Sequence, residues 1–218
     1  MNSTGNYNEL MRTLYSGIIC DVLDEMGYRN QALGCNIRPV TEDVVLLGKA
    51  FTAIGISVTA MPKVPFKFQL KSLDALSEGE IYVITTMGSS KAAFWGELLS
   101  TAVMAKNGTG ALIDGMARDI KQIKEMKFPL FSKGYMPTTS KGRLEVIDYQ
   151  IPIEIDGVRI NPGDTIFGDV DGVVVIPKEI ESKVFEVSLE KINLETDVRE
   201  RILKGESLSQ VYEDLGIL

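Results

Sequence analysis

Gly96, Glu97, Arg118 and Asp119 are the residues of this chain whose types and spacing could do chemistry together. Gly96 precedes an apolar run at helical spacing, so the amides of Glu97, Leu98 and Leu99 fall in a first helical turn. Those amides have no intrahelical acceptor, and with the positive end of the helix dipole they form a cradle for an anion. Gly96 lets a ligand come close to the backbone. Arg118 adds a planar fork for a carboxylate or an oxyanion. Asp119 is a hard oxygen ligand, and a magnesium ion is often held by one or two carboxylates while water and substrate complete the octahedron. Glu97 suits a supporting place through a water on such a metal. The chain has no histidine. That removes Ser-His and Cys-His nucleophilic machinery, histidine metal ligands and the commonest general base. Chemistry is left to carboxylates, arginine, lysine, backbone amides, or a metal and its water.

The elements that must position these groups are a helix, a tight turn and a strand. Leu98, Leu99, Ala102, Val103 and Ala105 are spaced for the buried face of a helix, with Thr101 and Lys106 facing out. Asn107-Gly108 stops that helix, and Ala111-Leu112-Ile113 suits a buried strand. Ten helical steps from Glu97 to Asn107 advance roughly 15 Å, and five strand steps from Thr109 to Asp114 return roughly 16 Å. Antiparallel packing of the two would set residues 96–99 beside residues 115–119. The same residues also fit a plainer arrangement, with Arg118 and Asp119 a solvated pair and Asp119 the N-cap of the helix that follows.

GELL, followed after a gap by GALIDGMARD, resembles the family named for the regulator of ribonuclease activity A, the RraA-like family. That family includes metal-dependent 4-hydroxy-4-methyl-2-oxoglutarate aldolases. Its pattern is an acidic residue, twenty intervening residues, then Arg-Asp. Glu97, Arg118 and Asp119 fit it, with Glu97 where some aldolases carry Asp. IICDVLDEMG, FSKGYMPTTSKGRLEV and PGDTIFGDVDGVVVIP extend the likeness over roughly residues 12–177. The resemblance implies a swivelling β/β/α fold of the α/β class, with trimers or hexamers whose sites lie near subunit interfaces. It also implies that Gly96, Glu97, Leu98, Leu99 and Arg118 bind substrate, and that Asp119 binds a divalent metal, Mg2+ or Mn2+.

Length and composition agree with an ordinary globular chain. At 218 residues, 44% hydrophobic and 24% charged, one domain over 1–218 is expected, with residues 178–218 a helical C-terminal extension. A net charge of −7 without a Lys/Arg cluster argues against nucleic acid and against an anionic membrane surface. No apolar run approaches a membrane span. The first residues lack both a basic and an apolar segment, so no signal peptide and a cytoplasmic location are expected. Cys20 and Cys35 fit incidental thiols in a reducing compartment.

Elsewhere the sequence predicts a helix over 7–26, broken near Ser16 as a cap, with Gly27 at its end. Strands with a bend at Gly48 or Gly55 follow over 44–60, then a helix over 66–76 and a strand over 81–86. Ser89, Ser90 and Lys91 sit in a loop. Gly108-Thr-Gly110 lies between a helix and a strand, the reverse of a dinucleotide fingerprint. A helix to Met126, a short strand over 129–131 and a basic loop over 133–143 come next. That loop, with Lys133, Lys141 and Arg143, suits either a neighbouring subunit, a carboxylated substrate or plain solvent. Strands over 145–158 turn at Asp156-Gly157. Asp169 and Asp171 read as a tight turn rather than as metal ligands. A helix over 179–204 and a short one over 208–215 close the chain.

Two functions follow as expectations. One is a class II aldolase cleaving a 4-hydroxy-2-oxo acid to pyruvate and a second oxo acid, with oxaloacetate decarboxylation as a side activity. In it Arg118 meets the developing oxyanion and Glu97 orients a metal-activated water as base. A Schiff-base route would need a buried lysine, and Lys91 and Lys106 look exposed. The other is a non-catalytic protein that binds and restrains a ribonuclease.

Overall fold

The computed structural model describes residue 10, residues 13–41 and residues 43–217. Its elements are α1 (Ser16–Glu25), β1 (Arg38–Pro39), β2 (Leu46–Ser57), α2 (Lys67–Ala75), β3 (Glu80–Thr85), β4 (Ala93–Trp95) and α3 (Glu97–Ala105). They continue with β5 (Gly110–Ala117), α4 (Ile120–Glu125), β6 (Leu130–Tyr135), β7 (Leu144–Tyr149), β8 (Ile153–Ile155) and β9 (Val158–Ile160). The last are β10 (Thr165–Gly168), β11 (Val173–Ile176), α5 (Glu181–Leu203) and α6 (Leu208–Leu215).

This is the mixed α/β class expected. One sheet runs β1-β6-β5-β3-β2-β10-β11, with β4 on β5 and β7 on β2, while β8 and β9 form a separate hairpin. Its centre is parallel, β2 to β3 to β5 to β6. Parallel strands need both faces covered, and here alternate side chains do go to different cores. Tyr82, Ile84, Ala111 and Ile113 join Phe51, Trp95 and Phe128 in one cluster. Ile81, Val83 and Leu112 join Leu46 and Phe131 in another. A third cluster packs α1 and α5 against β10 and β11 through Ile19, Leu23, Phe167, Ile176 and Val184.

Several local expectations match. Register slips between Ile54 and Gly55 where β2 meets β7, the bend anticipated at Gly55. Asp156 and Gly157 both take positive φ, 50° and 80°, as a two-residue hairpin requires. In the 169–172 turn the Asp171 amide donates to Asp169 Oδ1 at 3.0 Å. Others change. Ser16 does not cap α1: its amide and hydroxyl donate to the two Asp169 carboxylate oxygens, each at 2.7 Å, which ties α1 to the β10–β11 turn. The expected strand over 129–131 runs on to Tyr135, so Lys133 belongs to β6 and not to a loop. The part of the first expected helix at residues 7–9, 11 and 12 lies outside the described residues. Cys20 and Cys35 are free thiols, and burial first, then neighbouring aspartates, pushes Cys20 up to about 11. Among the described residues no helix is long and apolar enough to cross a membrane.

Candidate functional site

The site is assembled by β4, a three-residue strand of Ala, Phe and Trp. It pairs in parallel with the end of β5, Ala93 opposite Met116 and Trp95 opposite Ala117. The Arg118 amide then donates to the Trp95 carbonyl at 2.9 Å, carrying the ladder one step past β5. Two chain segments far apart in sequence thereby leave the sheet side by side, one into Gly96 and α3, the other into Arg118, Asp119 and α4.

Gly96 is the N-cap of α3 in extended conformation, and its carbonyl accepts the first helical bond from the Ser100 amide at 3.2 Å. The amides of Glu97, Leu98 and Leu99 come before that bond, so the helix itself supplies them no acceptor. The Trp95 indole N–H donates to the buried Ser100 Oγ at 2.9 Å, which fixes the first turn on the core. The Glu97 amide donates to Asp119 Oδ2 at 3.2 Å. A Cβ on Gly96 would stand 2.6 Å from the same oxygen, so only glycine leaves the carboxylate its place.

Asp119 is left-handed, φ 59° and ψ 36°, and makes no side-chain cap on α4. Of the plainer arrangement, the exposed Arg118–Asp119 pair and the N-cap position of Asp119 are present, and the side-chain capping bond is not. A non-glycine residue there costs on the order of 1 kcal/mol or more, and such strain clusters at functional positions. Arg118 Nε lies 3.6 Å from Asp119 Oδ2, with both side chains about two-fifths exposed, 41% and 39%. The pair is open to solvent and to a ligand.

A cavity of about 190 Å³ opens beside the pair. Gly96, Leu98, Leu99, Arg118 and Asp119 line it, together with Phe66, Leu70 and Ser140. Glu97 does not, because its Oε1 accepts from Thr101 Oγ1 at 2.8 Å along the outer face of α3. Leu98, spaced for the buried face, is 75% exposed at the cavity; Ser100 and Val103 are what α3 buries. Ser89, Ser90 and Lys91 do not line the cavity, and neither do Lys141 or Arg143.

No group of three or more His, Cys, Asp or Glu side chains is gathered among the described residues. A zinc-type cage does not fit. A magnesium-type ion does fit the donor set: a hard carboxylate at the head of α4, room beside it, and no soft ligand lining the cavity. Asp119 would hold it, and water and substrate would fill the remaining positions.

One charged cluster was not legible in the sequence. Asp114 is 3% exposed in β5 and accepts from Thr85 Oγ1 at 2.8 Å and the Gly88 amide at 3.0 Å. Lys133 Nζ pairs with it at 2.6 Å and with Asp156 at 3.0 Å. Lys133, expected on a surface loop, thus joins β6 to β5 and to the β8–β9 hairpin. The only local signal was a lone acid inside an apolar run, ALIDG.

Comparison with known proteins gives the family. The RraA-like family model, described as Aldolase/RraA, matches residues 17–175. A protein of Halalkalibacterium halodurans named "Putative 4-hydroxy-4-methyl-2-oxoglutarate aldolase" is 32% identical over 192 residues, 88% of this chain and 86% of that one. A crystal structure described as of novel cellulases from gut-associated microbes superposes with TM-score 0.82 at 35% identity, covering 87% of this chain and 86% of that one. Streptomyces coelicolor RraAS2, described as an unusual member of the RNase ES inhibitor RraA family, gives TM-score 0.77 at 25% identity, covering 88% and 98%. The match to a longer curated relative, Protein DlpA of Legionella pneumophila, spans 32% of that protein's length, and the match to a Methanocaldococcus jannaschii protein spans 57% of this chain and 59% of that one. The chain belongs to the RraA-like, or Aldolase/RraA, family.

Proposed function

We propose that the protein is a divalent-metal-dependent aldolase of class II type, releasing pyruvate from 4-hydroxy-2-oxo acids. The observation that carries this reading is the Asp119 carboxylate held against the first turn of α3, with Arg118 beside it at the same cavity. In this reading the amides of Leu98 and Leu99 hold the substrate 1-carboxylate at the helix N-terminus. The Arg118 guanidinium donates to the 2-keto oxygen, where charge grows as the bond between C3 and C4 breaks. The 4-hydroxyl proton passes to water oriented by Glu97, whose carboxylate leaves Thr101 to do so, and C3 takes up a proton to complete pyruvate. A divalent cation at Asp119, when bound, supplies Lewis acidity at the 2-keto oxygen. Oxaloacetate decarboxylation runs through the same enolate and is expected as a side activity. A glycosidase would need a carboxylate pair flanking its bond, and among the described residues Asp119 is the one acid lining this cavity. A protein that only restrains a ribonuclease needs neither the left-handed Asp119 nor the open amides.

Asp119→Asn tests the reading directly, since an amide replaces an anionic oxygen poorly. The variant is expected to fold, with unchanged circular dichroism, yet to lose manganese binding and pyruvate release together. Manganese affinity equal to wild type would remove Asp119 as the ligand.

A further inference from the structure

Helix α2 turns Gln69, Ser72 and Leu73 inward. Leu73 joins the core cluster of Trp95 and Phe128, and Gln69 stands one turn earlier on the same face. Gln69 is 5% exposed and lines the cavity that holds Arg118 and Asp119. Ser72 is satisfied: its hydroxyl donates to the Gln69 carbonyl at 2.8 Å and shares a hydrogen bond of 2.6 Å with the buried Tyr82 hydroxyl. Those two bonds pin the turn that carries Gln69.

The Gln69 carboxamide itself has no hydrogen-bond partner among the described residues. Neither has the Ser140 hydroxyl, which is also 5% exposed and lines the same cavity. The Ser140 backbone is fixed, since its carbonyl accepts from the Arg143 and Leu144 amides at 2.8 and 2.9 Å. Thr139, beside it in the lining, already has its hydroxyl engaged by the Lys141 amide at 3.3 Å. Burying polar groups without partners is costly, and nearly all buried ones in folded proteins are paired. An apolar side chain at position 69 would carry no such cost, so the amide there calls for a partner. Gln69 and Ser140 are sunk within this one chain, whatever a neighbouring subunit adds at the rim of the cavity.

We propose that Gln69 and Ser140 bind the 4-oxygen of the substrate, the hydroxyl that becomes the carbonyl of the second product. The proposal rests on the aldolase reading. There the 1-carboxylate goes to the α3 amides and the 2-keto oxygen to Arg118, and the 4-oxygen is the remaining polar atom that every 4-hydroxy-2-oxo acid has. That oxygen has two lone pairs, one for Gln69 Nε2 and one for Ser140 Oγ, and its proton is left free for water. In the balanced step the C3–C4 bond breaks and its electron pair goes to C3 as the pyruvate enolate. The 4-hydroxyl proton passes to water, C4–O becomes the carbonyl, and a proton from water completes the pyruvate methyl group. Both lone pairs persist through the change, so the two donors serve substrate and product alike.

Pyruvate has no 4-oxygen, so proton–deuterium exchange at its methyl group, followed by NMR with manganese, reports the enolate chemistry without these two residues. Gln69→Met keeps the length of the side chain and removes both polar atoms, and Ser140→Ala removes the other donor. In each variant we expect exchange within about threefold of wild type and an unlowered melting temperature. Pyruvate release from 4-hydroxy-2-oxopentanoate and from 4-hydroxy-4-methyl-2-oxoglutarate should fall at least about tenfold in kcat/KM. A smaller loss of cleavage in either variant, or an equal loss of exchange, overturns the proposal and leaves the aldolase reading standing. Wild-type exchange without cleavage of either acid does the same. A lowered melting temperature, or a changed mass on sedimentation, would give the side chain a partner within the fold or in another subunit and overturn the proposal too. Absence of both exchange and cleavage in wild type overturns it together with the aldolase reading.

Discussion

Gly96 is the residue at which one added carbon should disturb the proposed chemistry most and the fold least. Its Cβ would press on Asp119 Oδ2 at 2.6 Å and on the Arg118 side chain at 3.4 Å, both movable side-chain atoms. Its φ of −160° is ordinary extended backbone, so alanine brings no backbone strain. Gly96→Ala is expected to slow pyruvate release at least about tenfold, or about 1.4 kcal/mol in the barrier. Its melting temperature should stay within about 4 °C of wild type. A tenfold loss matched by global destabilisation would count against displacement as the cause. Arg118→Lys separates a surface pair from an oxyanion donor. An exposed pair contributes about 0–1 kcal/mol, whereas one lost oxyanion donor costs about 3 kcal/mol, roughly a hundredfold in kcat. Lysine keeps the charge and loses the planar fork. Turnover at saturating manganese within about threefold of wild type would return Arg118 to the surface-pair role.

Between elements, a largely buried charge contact joins Lys133 from β6 to Asp114 of β5 and Asp156 of the β8–β9 turn. Removing the ammonium leaves a carboxylate buried without its cation, which costs about 3–5 kcal/mol. Lys133→Met is expected to lower unfolding free energy in urea by that order, and a change under about 1 kcal/mol would mean Asp114 finds another partner. Burial alone would lower the Lys133 pKa, but its bonds to Asp114 and Asp156 outweigh burial and raise it. A raised lysine pKa stabilises the fold fully below the unfolded value of about 10.4 and loses that effect as pH climbs through the folded value. The stability gap between wild type and Lys133→Met should therefore shrink above pH about 10.4 and hold steady between pH 7 and 9. A gap growing with alkalinity would contradict the ion pair.

At the scale of the whole molecule, the C-terminal helix α5 is anchored to the start of the chain. The Tyr15 hydroxyl, just ahead of α1, donates to the Glu195 carboxylate of α5, and Lys191 reaches Glu25 at 2.5 Å. Burial first, then the Glu195 bond, raises Tyr15 to about 12. The protonated phenol is the form the fold favours, so its contribution is complete below about pH 10 and is lost as pH rises through about 12. Tyr15→Phe should cost about 1.5–3 kcal/mol at pH 8, the range for a hydrogen bond to a charged group, and progressively less above pH 10. Urea unfolding of both proteins at pH 8 and pH 11 checks this, and an undiminished difference at pH 11 would detach Tyr15 from α5.

The sequence by itself determined the alternation of helices and strands, because periods of 3.6 and 2 are written in which residues are apolar. It also marked the Asp156-Gly157 hairpin and the turn at Asp169, where residue types match backbone demands. It placed Gly96 near Arg118 and Asp119 by rise per residue alone, and the structure brings them to one cavity by another device. Strand β4, too short and too uniformly apolar for any period to show, pairs with the end of β5 and delivers Gly96 beside Asp119. Side-chain direction was beyond the sequence. Glu97 turns to Thr101, Leu98 stays in water while Ser100 is buried under Trp95, and Lys133 leaves its expected loop for Asp114. The Glu97 partner is one helical turn away, but the burial of Ser100 under Trp95 and the Lys133–Asp114 pair are fixed only when the sheet has brought its strands together.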